Sequence, residues 1–364
     1  MKFLKHITKP FLFLLTPLVF LYSLILYFRK RFYELRIFKV HSSEIPIISV
    51  GNCALGGQGK TPLCDYIGQY LINKGKILHL SMRGHKSSLE KKGGFLKIDP
   101  FGSKNLQLDA NYYSDEAIVH YHQLSSGSIS IGKNRWQMLL KNLHHHSVDY
   151  TFPDVILMDD GFQHLKIEKK LNIVLLHTNL SLKDYKLFPL GKLRDSVHSL
   201  QSADLLCINH GFRYDSLKEK ELLDFLASKK IVKNHVNIYF KFDPPFIPQE
   251  YVELNNLIAF SALANNSYFL QTLNFLGFYP KNFIPFKDHF AYPIKHVENI
   301  FLQYNPKSHY FLTSQKDYYK VLPHFSQKGL EDRLYFLNMF LDFPTSKDRD
   351  ILHEVLESAR LKLS

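Results

Sequence analysis

The sequence predicts an α/β fold with a largely parallel sheet, preceded by a membrane-anchoring helix and followed by a second, smaller α/β domain. Short apolar, β-branched segments recur along the chain with little polar alternation, as in parallel strands that are buried on both faces. Glycine-rich turns and segments of helical periodicity follow several of them. The 364 residues correspond to two domains or to one large α/β unit.

The composition excludes several classes of protein. A hydrophobic fraction of 45% is too high for a disordered chain, and three cysteines cannot form a disulfide scaffold. The mean hydropathy of −0.16 excludes a polytopic transporter. The net charge of +13 therefore has to be explained within a globular protein.

The first 40 residues carry more than half of this charge, with eight Lys or Arg residues against Glu34 alone. They enclose the uncharged segment 10–28, which as a helix would extend about 28 Å, slightly less than a hydrocarbon core of about 30 Å. Basic residues 29–31 follow it instead of a small-residue cleavage site, which argues against a signal peptide. Basic clusters at both ends favour a helix embedded in one leaflet with anionic headgroups around it, and a single membrane span is the alternative.

The apolar segments divide the rest of the chain. Strands are predicted at 47–50, 77–80, 155–158, 173–176 and 205–208, and again at 257–260 and 310–313. Helices are predicted at 61–74 and near 267–276. Segment 242–248 contains three prolines and is typical of a linker. We therefore predict an anchor at 1–40, a main domain at 41–245 and a smaller α/β domain at 246–364.

The strongest local pattern follows the first predicted strand, where a glycine-rich turn leads into a helix. Such turns direct backbone N–H groups at phosphate, while a lysine reaches the β- and γ-phosphates and a hydroxyl binds Mg²⁺. The nucleotide-binding residues predicted here are Gly56, Gly57, Gln58, Gly59, Lys60 and Thr61. The first glycine of the strict pattern is replaced by Ala54, and Cys53 in the same turn raises the hypothesis of a thiol-sensitive enzyme. The main domain is thus predicted to be of the P-loop NTPase type.

A second acidic element accompanies this loop, because the predicted strand at 155–158 ends in Asp159 and Asp160. A buried strand that delivers an aspartate to the metal of the nucleotide is the Walker B arrangement. No guanine-specific signature is apparent, so the predicted cofactors are ATP and Mg²⁺.

Several short motifs occur in an order that resembles the tetraacyldisaccharide 4'-kinase (lipid A 4'-kinase) family. They are GNCALGGQGKTP at 51–62, SDEA at 114–117, DDGFQH at 159–164, PLGKLRD at 189–195, FKDHF at 286–290 and TSQKD at 313–317. The resemblance implies transfer of the γ-phosphate of ATP to the 4'-hydroxyl of an acylated glucosamine disaccharide 1-phosphate, giving lipid IVA. It also implies a place at the cytoplasmic face of an inner membrane.

The resemblance further implies individual roles. Asp115 matches the catalytic base, and His289 matches the residue that works with it. Lys60, Arg135 and Arg194 match the remaining catalytic residues. The implied metal ligands are Thr61, Glu116, Asp159 and Asp160. Five positions depart from the family pattern. His85 replaces a tyrosine, Asp195 a glutamate, Ala262 a glycine and Asn266 a proline, and His177 ends a strand where the family tends to have aspartate.

One rival function comes from a different class, a membrane-associated P-loop ATPase switch that binds a protein partner. Those ATPases carry a signature lysine where this chain has Leu55, and they lack DDGFQH. The basic charge forms no long stripe and the aromatic residues form no stacking motif, so nucleic acid is not expected as a partner. The expected partners are the lipid substrate and an anionic membrane surface, with no obligate protein partner evident.

Overall fold

The computed structural model describes residues 16–99, 108–141, 152–243 and 256–361. The strands in these ranges are β1 (Ile47–Asn52), β2 (Leu78–Met82), β3 (Gly94–Ile98), β4 (Gly127–Ile131), β5 (Val155–Asp159), β6 (Leu171–His177), β7 (Leu205–Asn209), β8 (His235–Asp243), β9 (Leu257–Ser261), β10 (Asn282–Pro285), β11 (Tyr310–Ser314) and β12 (Leu334–Asp342). The α-helices are α1 (Thr16–Glu34), α2 (Lys60–Asn73), α3 (Leu89–Lys92), α4 (Ala110–Tyr113), α5 (Asp115–Gln123), α6 (Ser216–Ser228), α7 (Asn266–Phe275), α8 (Ile294–Gln303), α9 (Gln315–Ser326) and α10 (Ser346–Leu361). A further helical stretch is described over 135–141.

The chain divides into two compact units, each assembled from separate segments. Unit 1 comprises Met1–Lys60, Asp154–Tyr239 and Asp342–Ser364, and unit 2 comprises Thr61–Pro153 and Phe240–Leu341. The division into 1–40, 41–245 and 246–364 predicted from the sequence remains a prediction. Most of the predicted linker lies outside the described residues.

The strands of unit 1 pair in parallel, in the order β8-β7-β6-β1-β5. Every residue of β1, β5 and β7 is buried, because helices and loops cover both faces of a parallel sheet. The carboxyl ends of parallel strands lie at one edge of the sheet, which is where α/β proteins bind ligands. In this unit that edge carries the glycine-rich turn and the Asp159-Asp160 pair.

Unit 2 contains two sets of strands. In one, β2 pairs in parallel with β4, and β4 pairs in antiparallel with β3. In the other, β10, β9, β11 and β12 are all parallel, in that order. An aromatic core on the second set includes Phe260, Tyr292, Phe311 and Phe325. Each predicted strand overlaps an observed one, and the predicted helices correspond to α2 and α7, so the largely parallel α/β architecture is confirmed.

The N-terminal helix α1 has an apolar face that the protein does not cover. Leu18, Leu21, Ile25 and Phe28 lie on one side at helical spacing, and each is more than half exposed. Residues 1–15 of the predicted anchor lie outside the described residues. Among the residues that are described, no helix combines the length and the apolar character needed to cross a membrane.

Candidate active site

The glycine-rich turn of unit 1 joins β1 to α2 in the conformation that a phosphate cradle requires. Gly56 and Gly59 have φ angles of 102° and 90°, which glycine adopts without the steric cost that other residues bear. No atom lies within 4 Å of a Cβ placed on Gly56 or Gly57. Helix α2 begins at Lys60, so the turn ends at a helix N-terminus and its favourable dipole.

Backbone contacts hold this turn in shape. Its Leu55 amide donates to the Lys192 oxygen over 2.7 Å, and the Arg194 amide donates to the Cys53 oxygen over 2.7 Å. On the other side, the Asn209 side chain at the end of β7 donates to the Gln58 oxygen over 2.9 Å. The cradle therefore depends on residues far from it in sequence.

Charged side chains gather beside the turn around Asp160. Lys60 Nζ lies 3.4 Å from Asp160 Oδ1 and 3.2 Å from Asn52 Oδ1. Arg194 makes a two-pronged contact with the same carboxylate, at 2.8 Å and 3.1 Å, and its guanidinium also donates to both oxygens of Asn52. Burial disfavours the charged form of Arg194. The hydrogen bond with Asp160 and the charge of that carboxylate have the larger effect, and they raise the pKa of Arg194.

The acidic pair that follows β5 differs between its two members. Asp159 is buried at the end of the strand, whereas Asp160 adopts a φ of 50°, unusual for a residue other than glycine. Such backbone geometry concentrates at functional sites. Both carboxylates offer the hard oxygen ligands that Mg²⁺ prefers. If Asp160 held the metal, Mg²⁺ would replace Lys60 and Arg194 as the partner of this carboxylate.

A second charged cluster lies in unit 2, where Asp115 is the first residue of α5. Ser114 caps the helix by accepting a hydrogen bond from the Ala117 amide, which fixes the backbone next to Asp115. His289 Nδ1 lies 2.9 Å from Asp115 Oδ2, so the two residues that the resemblance pairs are hydrogen-bonded. No hydrogen bond to Oδ1 of Asp115 is found within the described parts of the chain.

Two lysines of α9 complete the cluster. Lys320 Nζ lies 2.8 Å from Asp115 Oδ2, and Lys316 Nζ lies 3.5 Å from the same oxygen and 2.8 Å from Glu116. Burial disfavours the ionised form of Asp115. The hydrogen bond of His289 and the charges of the two lysines have the larger effect, and they hold the pKa of this carboxyl well below its usual range. Asp115 is therefore ionised at neutral pH.

A relay of hydrogen bonds positions His289 from the TSQKD segment. Asp317 Oδ2 accepts from the Ser314 hydroxyl over 2.7 Å and from the Ala262 amide over 2.8 Å. The Ala262 oxygen in turn accepts from the His289 amide over 3.2 Å. His289 has a φ of 60°, so this support acts on a residue in an uncommon conformation.

One departure from the family pattern has a structural role here. The Asn266 side chain accepts from the Ser261 hydroxyl over 2.7 Å and donates to the Phe286 oxygen over 2.7 Å. It thus ties the end of β9 to the segment that carries His289, a link that a proline side chain cannot make. The ring of His85, a second departure, lies edge-on to His289 with centroids 6.0 Å apart.

The hypothesis that Cys53 makes the enzyme thiol-sensitive is wrong for the structure described. Its side chain is fully buried, and burial raises the pKa of the thiol to about 12. A thiol that is both inaccessible and protonated does not react as a nucleophile.

The structure thus brings Lys60, Asp160 and Arg194 together in unit 1, and Asp115, Glu116 and His289 together in unit 2. Thr61 follows Lys60 in α2, and Arg135 is buried in unit 2. Within the described ranges, no group of three or more His, Cys, Asp or Glu side chains is arranged to hold a metal ion.

Sequence reasoning missed Asn52, Lys316 and Lys320. The lysines are four residues apart on one helix, and this spacing places them on the same face. That pattern was available in the sequence, but it is as common on solvated helices as at sites.

Comparison with known proteins decides between the functions considered. The family model of LpxK, tetraacyldisaccharide-1-P 4'-kinase, matches residues 11–357. The chain belongs to the tetraacyldisaccharide-1-P 4'-kinase family. Its activity is that of a tetraacyldisaccharide 4'-kinase in lipid A biosynthesis, as the sequence predicted, and not that of a partner-binding ATPase switch.

Individual relatives of the family agree with this assignment. A tetraacyldisaccharide 4'-kinase of Bdellovibrio bacteriovorus is 26% identical and is matched over 94% of this chain and 97% of its own length. The enzyme of Aquifex aeolicus is 32% identical over 76% of this chain and 82% of its own. A crystal structure of LpxK from Aquifex aeolicus in complex with ATP superimposes with a TM-score of 0.69 and 27% identity, covering 94% of this chain and 98% of that one.

Proposed function

We propose that this kinase transfers the γ-phosphoryl group of Mg²⁺·ATP to the 4'-hydroxyl of its lipid substrate with Asp115 as the proton acceptor. In this step the sugar oxygen forms a bond to the γ-phosphorus, the bond between that phosphorus and the bridging oxygen breaks, and ADP leaves. The hydroxyl proton passes to Asp115. The observation that carries the proposal is the nearly buried carboxylate of Asp115, whose Oδ2 lies 2.9 Å from His289 Nδ1.

An oriented carboxylate suits this chemistry. The transition state of phosphoryl transfer is loose, so the attacking hydroxyl needs an oriented acceptor more than a strong base. In our proposal Lys60 and Arg194 neutralise charge on the transferring group, together with Arg135, while residues 56–61 bind the phosphates. In the structure Lys60 and Arg194 both contact Asp160, so the proposal requires that Asp160 binds the metal when these two cations face phosphate.

The metal assignment is also part of the proposal. Asp159 and Asp160 of unit 1 would supply oxygen ligands, which fits Mg²⁺, since this ion is usually held by one or two carboxylates together with substrate phosphates. The same role for Thr61 and Glu116 of unit 2 rests on the resemblance. When bound, Mg²⁺ supplies charge neutralisation at the phosphates.

A direct test of the acceptor role uses the purified full-length chain, radiolabelled ATP and the disaccharide 1-phosphate in detergent. Asp115→Asn keeps the shape of the side chain and removes its capacity to take the proton, so we expect kcat to fall about 10²- to 10⁴-fold with ATP affinity unchanged. Asp109→Asn is the matched control, because Asp109 caps the neighbouring helix at an exposed position and asparagine caps equally well. Unchanged kcat in Asp115→Asn would remove Asp115 from this role.

We further propose that α1 lies in one leaflet at the cytoplasmic face of the inner membrane, with its apolar face in the lipid. The exposed Leu21 and Ile25 on that face and the basic residues 29–31 beside it support an amphipathic, interfacial mode of binding. The anionic bilayer and the lipid substrate are the partners in this proposal, and no protein partner is needed.

Flotation with vesicles that contain anionic lipid tests the membrane proposal. Leu21→Glu combined with Ile25→Glu should release the chain from vesicles. The control pair is Leu217→Glu with Val232→Glu, two residues of unit 1 that are 75% and 83% exposed outside α1. Equal flotation of both pairs would contradict the proposal.

A further inference from the structure

We propose that Lys320 is a positioning residue for phosphoryl transfer, which holds Oδ2 of Asp115 so that Oδ1 faces the sugar hydroxyl. This inference rests on the proposed role of Asp115 as proton acceptor. It assigns to α9 a function in the reaction that neither the motifs nor the composition indicated.

The contacts of Lys320 use the whole of its ammonium group. Its Nζ lies 2.8 Å from Asp115 Oδ2, 3.2 Å from the Phe290 oxygen and 3.5 Å from Asp317 Oδ1. An ammonium has three protons to donate, and three acceptors surround it here. No donor remains for a substrate, so Lys320 acts through Asp115 and not on the reacting atoms.

The burial of this group distinguishes it from the other cation of the cluster. The Lys320 side chain is 2% exposed and that of Lys316 is 20% exposed. Lys316 divides its contacts among Glu116, His289 and Asp115, and Glu116 is a proposed metal ligand. Lys320 has no contact with Glu116 among the described residues, so its contact with Asp115 does not pass through that carboxylate.

The geometry around Asp115 separates its two oxygens. His289 and Lys320 both bind Oδ2, and two contacts on one oxygen determine the rotation of the carboxylate plane better than one. Charge-assisted hydrogen bonds in a buried setting are short and directional. Oδ1 is thereby held in place as the free acceptor.

Lys320 also links Asp115 to the support of His289. Lys320 contacts Asp317, which accepts a hydrogen bond from the Ala262 amide. The Ala262 oxygen in turn accepts a hydrogen bond from the His289 amide. Phe290, whose oxygen Lys320 binds, is the next residue after His289. One ammonium therefore ties the acid on α5 and the segment 286–290 to the same helix.

A double-mutant cycle tests the inference on the full-length enzyme with Lys320→Met, Asp115→Asn and the double variant. We expect Lys320→Met to lower kcat about 10- to 100-fold, the loss that misplacement by about 1 Å causes. The KM for the lipid and the Kd for a non-hydrolysable ATP analogue should change less than about threefold, because Lys320 touches neither ligand. Lys307→Met, at an exposed position of the same unit, should behave like the wild type.

The cycle distinguishes positioning from a structural role. If Lys320 acts only through Asp115, the double variant should have the kcat of Asp115→Asn within about twofold. A kcat that falls by the product of the two single effects would overturn the inference, as would a wild-type kcat in Lys320→Met. A wild-type kcat in Asp115→Asn would instead overturn the proposed function itself.

Removal of Lys320 takes a cation from two buried carboxylates, those of Asp115 and Asp317, so the single variant is at risk of not folding. Thermal unfolding is therefore measured for every variant. If Lys320→Met does not fold, the comparison moves to Lys320→Arg, which keeps the charge, with and without Asp115→Asn. If adding Lys320→Arg leaves the kcat of the Asp115→Asn variant unchanged, the result supports positioning. If it lowers that kcat further, the result contradicts the inference.

Discussion

Arg29 of the N-terminal helix donates a hydrogen bond from Nη2 to the backbone oxygen of Gln163 over 3.1 Å. The Gln163 side chain donates in turn to the Asn52 oxygen over 2.7 Å. Asn52 ends β1 and contacts both Lys60 and Arg194. Two hydrogen bonds thus connect the apolar helix to the side chains at the phosphate cradle within unit 1.

We therefore expect Arg29→Met to weaken ATP binding, although Arg29 is not part of the cradle. The loss of one charge-assisted hydrogen bond, worth about 1 to 2 kcal/mol at a partly buried site, corresponds to a change of roughly 5- to 30-fold in Kd. Arg36→Met is the matched control, since the side chain of Arg36, in the same region, pairs only with the exposed Glu168 among the described residues. Titration with an ATP analogue measures the effect, and equal Kd values for the two variants would contradict the coupling.

Arg194 cannot be exchanged for lysine without cost. Its planar guanidinium meets Asp160 with two hydrogen bonds and also reaches Asn52, a geometry that a point charge does not reproduce. Arg194→Lys should lower kcat/KM about 10- to 100-fold, which corresponds to about 1.5 to 3 kcal/mol for the lost charged contacts. Lys192→Met, which removes an exposed partner of Asp184, is the control in steady-state assays. A wild-type value for Arg194→Lys would show that charge alone is sufficient.

The two glycines of the cradle should respond differently to alanine. Gly56 has a φ of 102° and Gly57 has no such constraint, while neither Cβ would meet an atom within 4 Å. Gly56→Ala should therefore lower the free energy of unfolding by about 1 to 3 kcal/mol through backbone strain. Gly57→Ala should leave it unchanged and weaken ATP binding, because a methyl group would cover backbone amides. Thermal unfolding and nucleotide titration of both variants check this, and equal loss of stability would refute the distinction.

The enzyme should resist thiol reagents in its native state. All three cysteines are buried, and burial raises the pKa of both Cys53 and Cys207. We expect almost no reaction with an aromatic disulfide reagent under native conditions and three reactive thiols in denaturant, with activity retained throughout the native incubation. Rapid modification with loss of activity would show that the cradle opens on that timescale.

Several parts of the fold were predictable from the sequence, because they depend on neighbouring residues. The segments that became β1, β5 and β7 are continuous apolar runs, and such runs form parallel strands that are buried on both faces. By contrast β4, GSISI, alternates serine with isoleucine, and β8 and β12 mix buried with exposed positions. These segments lack the continuous apolar run by which the other strands were recognised, so they were not predicted.

By itself the sequence identified the proposed phosphate cradle, since its glycines, Lys60 and Thr61 are contiguous and form a recognisable motif after a strand. It also identified Asp115 and His289 through the resemblance, but these residues are 174 positions apart. Only the tertiary structure decided that both meet Lys320, 2.8 Å from the same carboxylate oxygen, and that Asn266 supports the segment of His289. Those contacts arise from the packing of α5 and α9 and the segment between β10 and α8, and packing depends on the whole chain at once and not on any short segment of it.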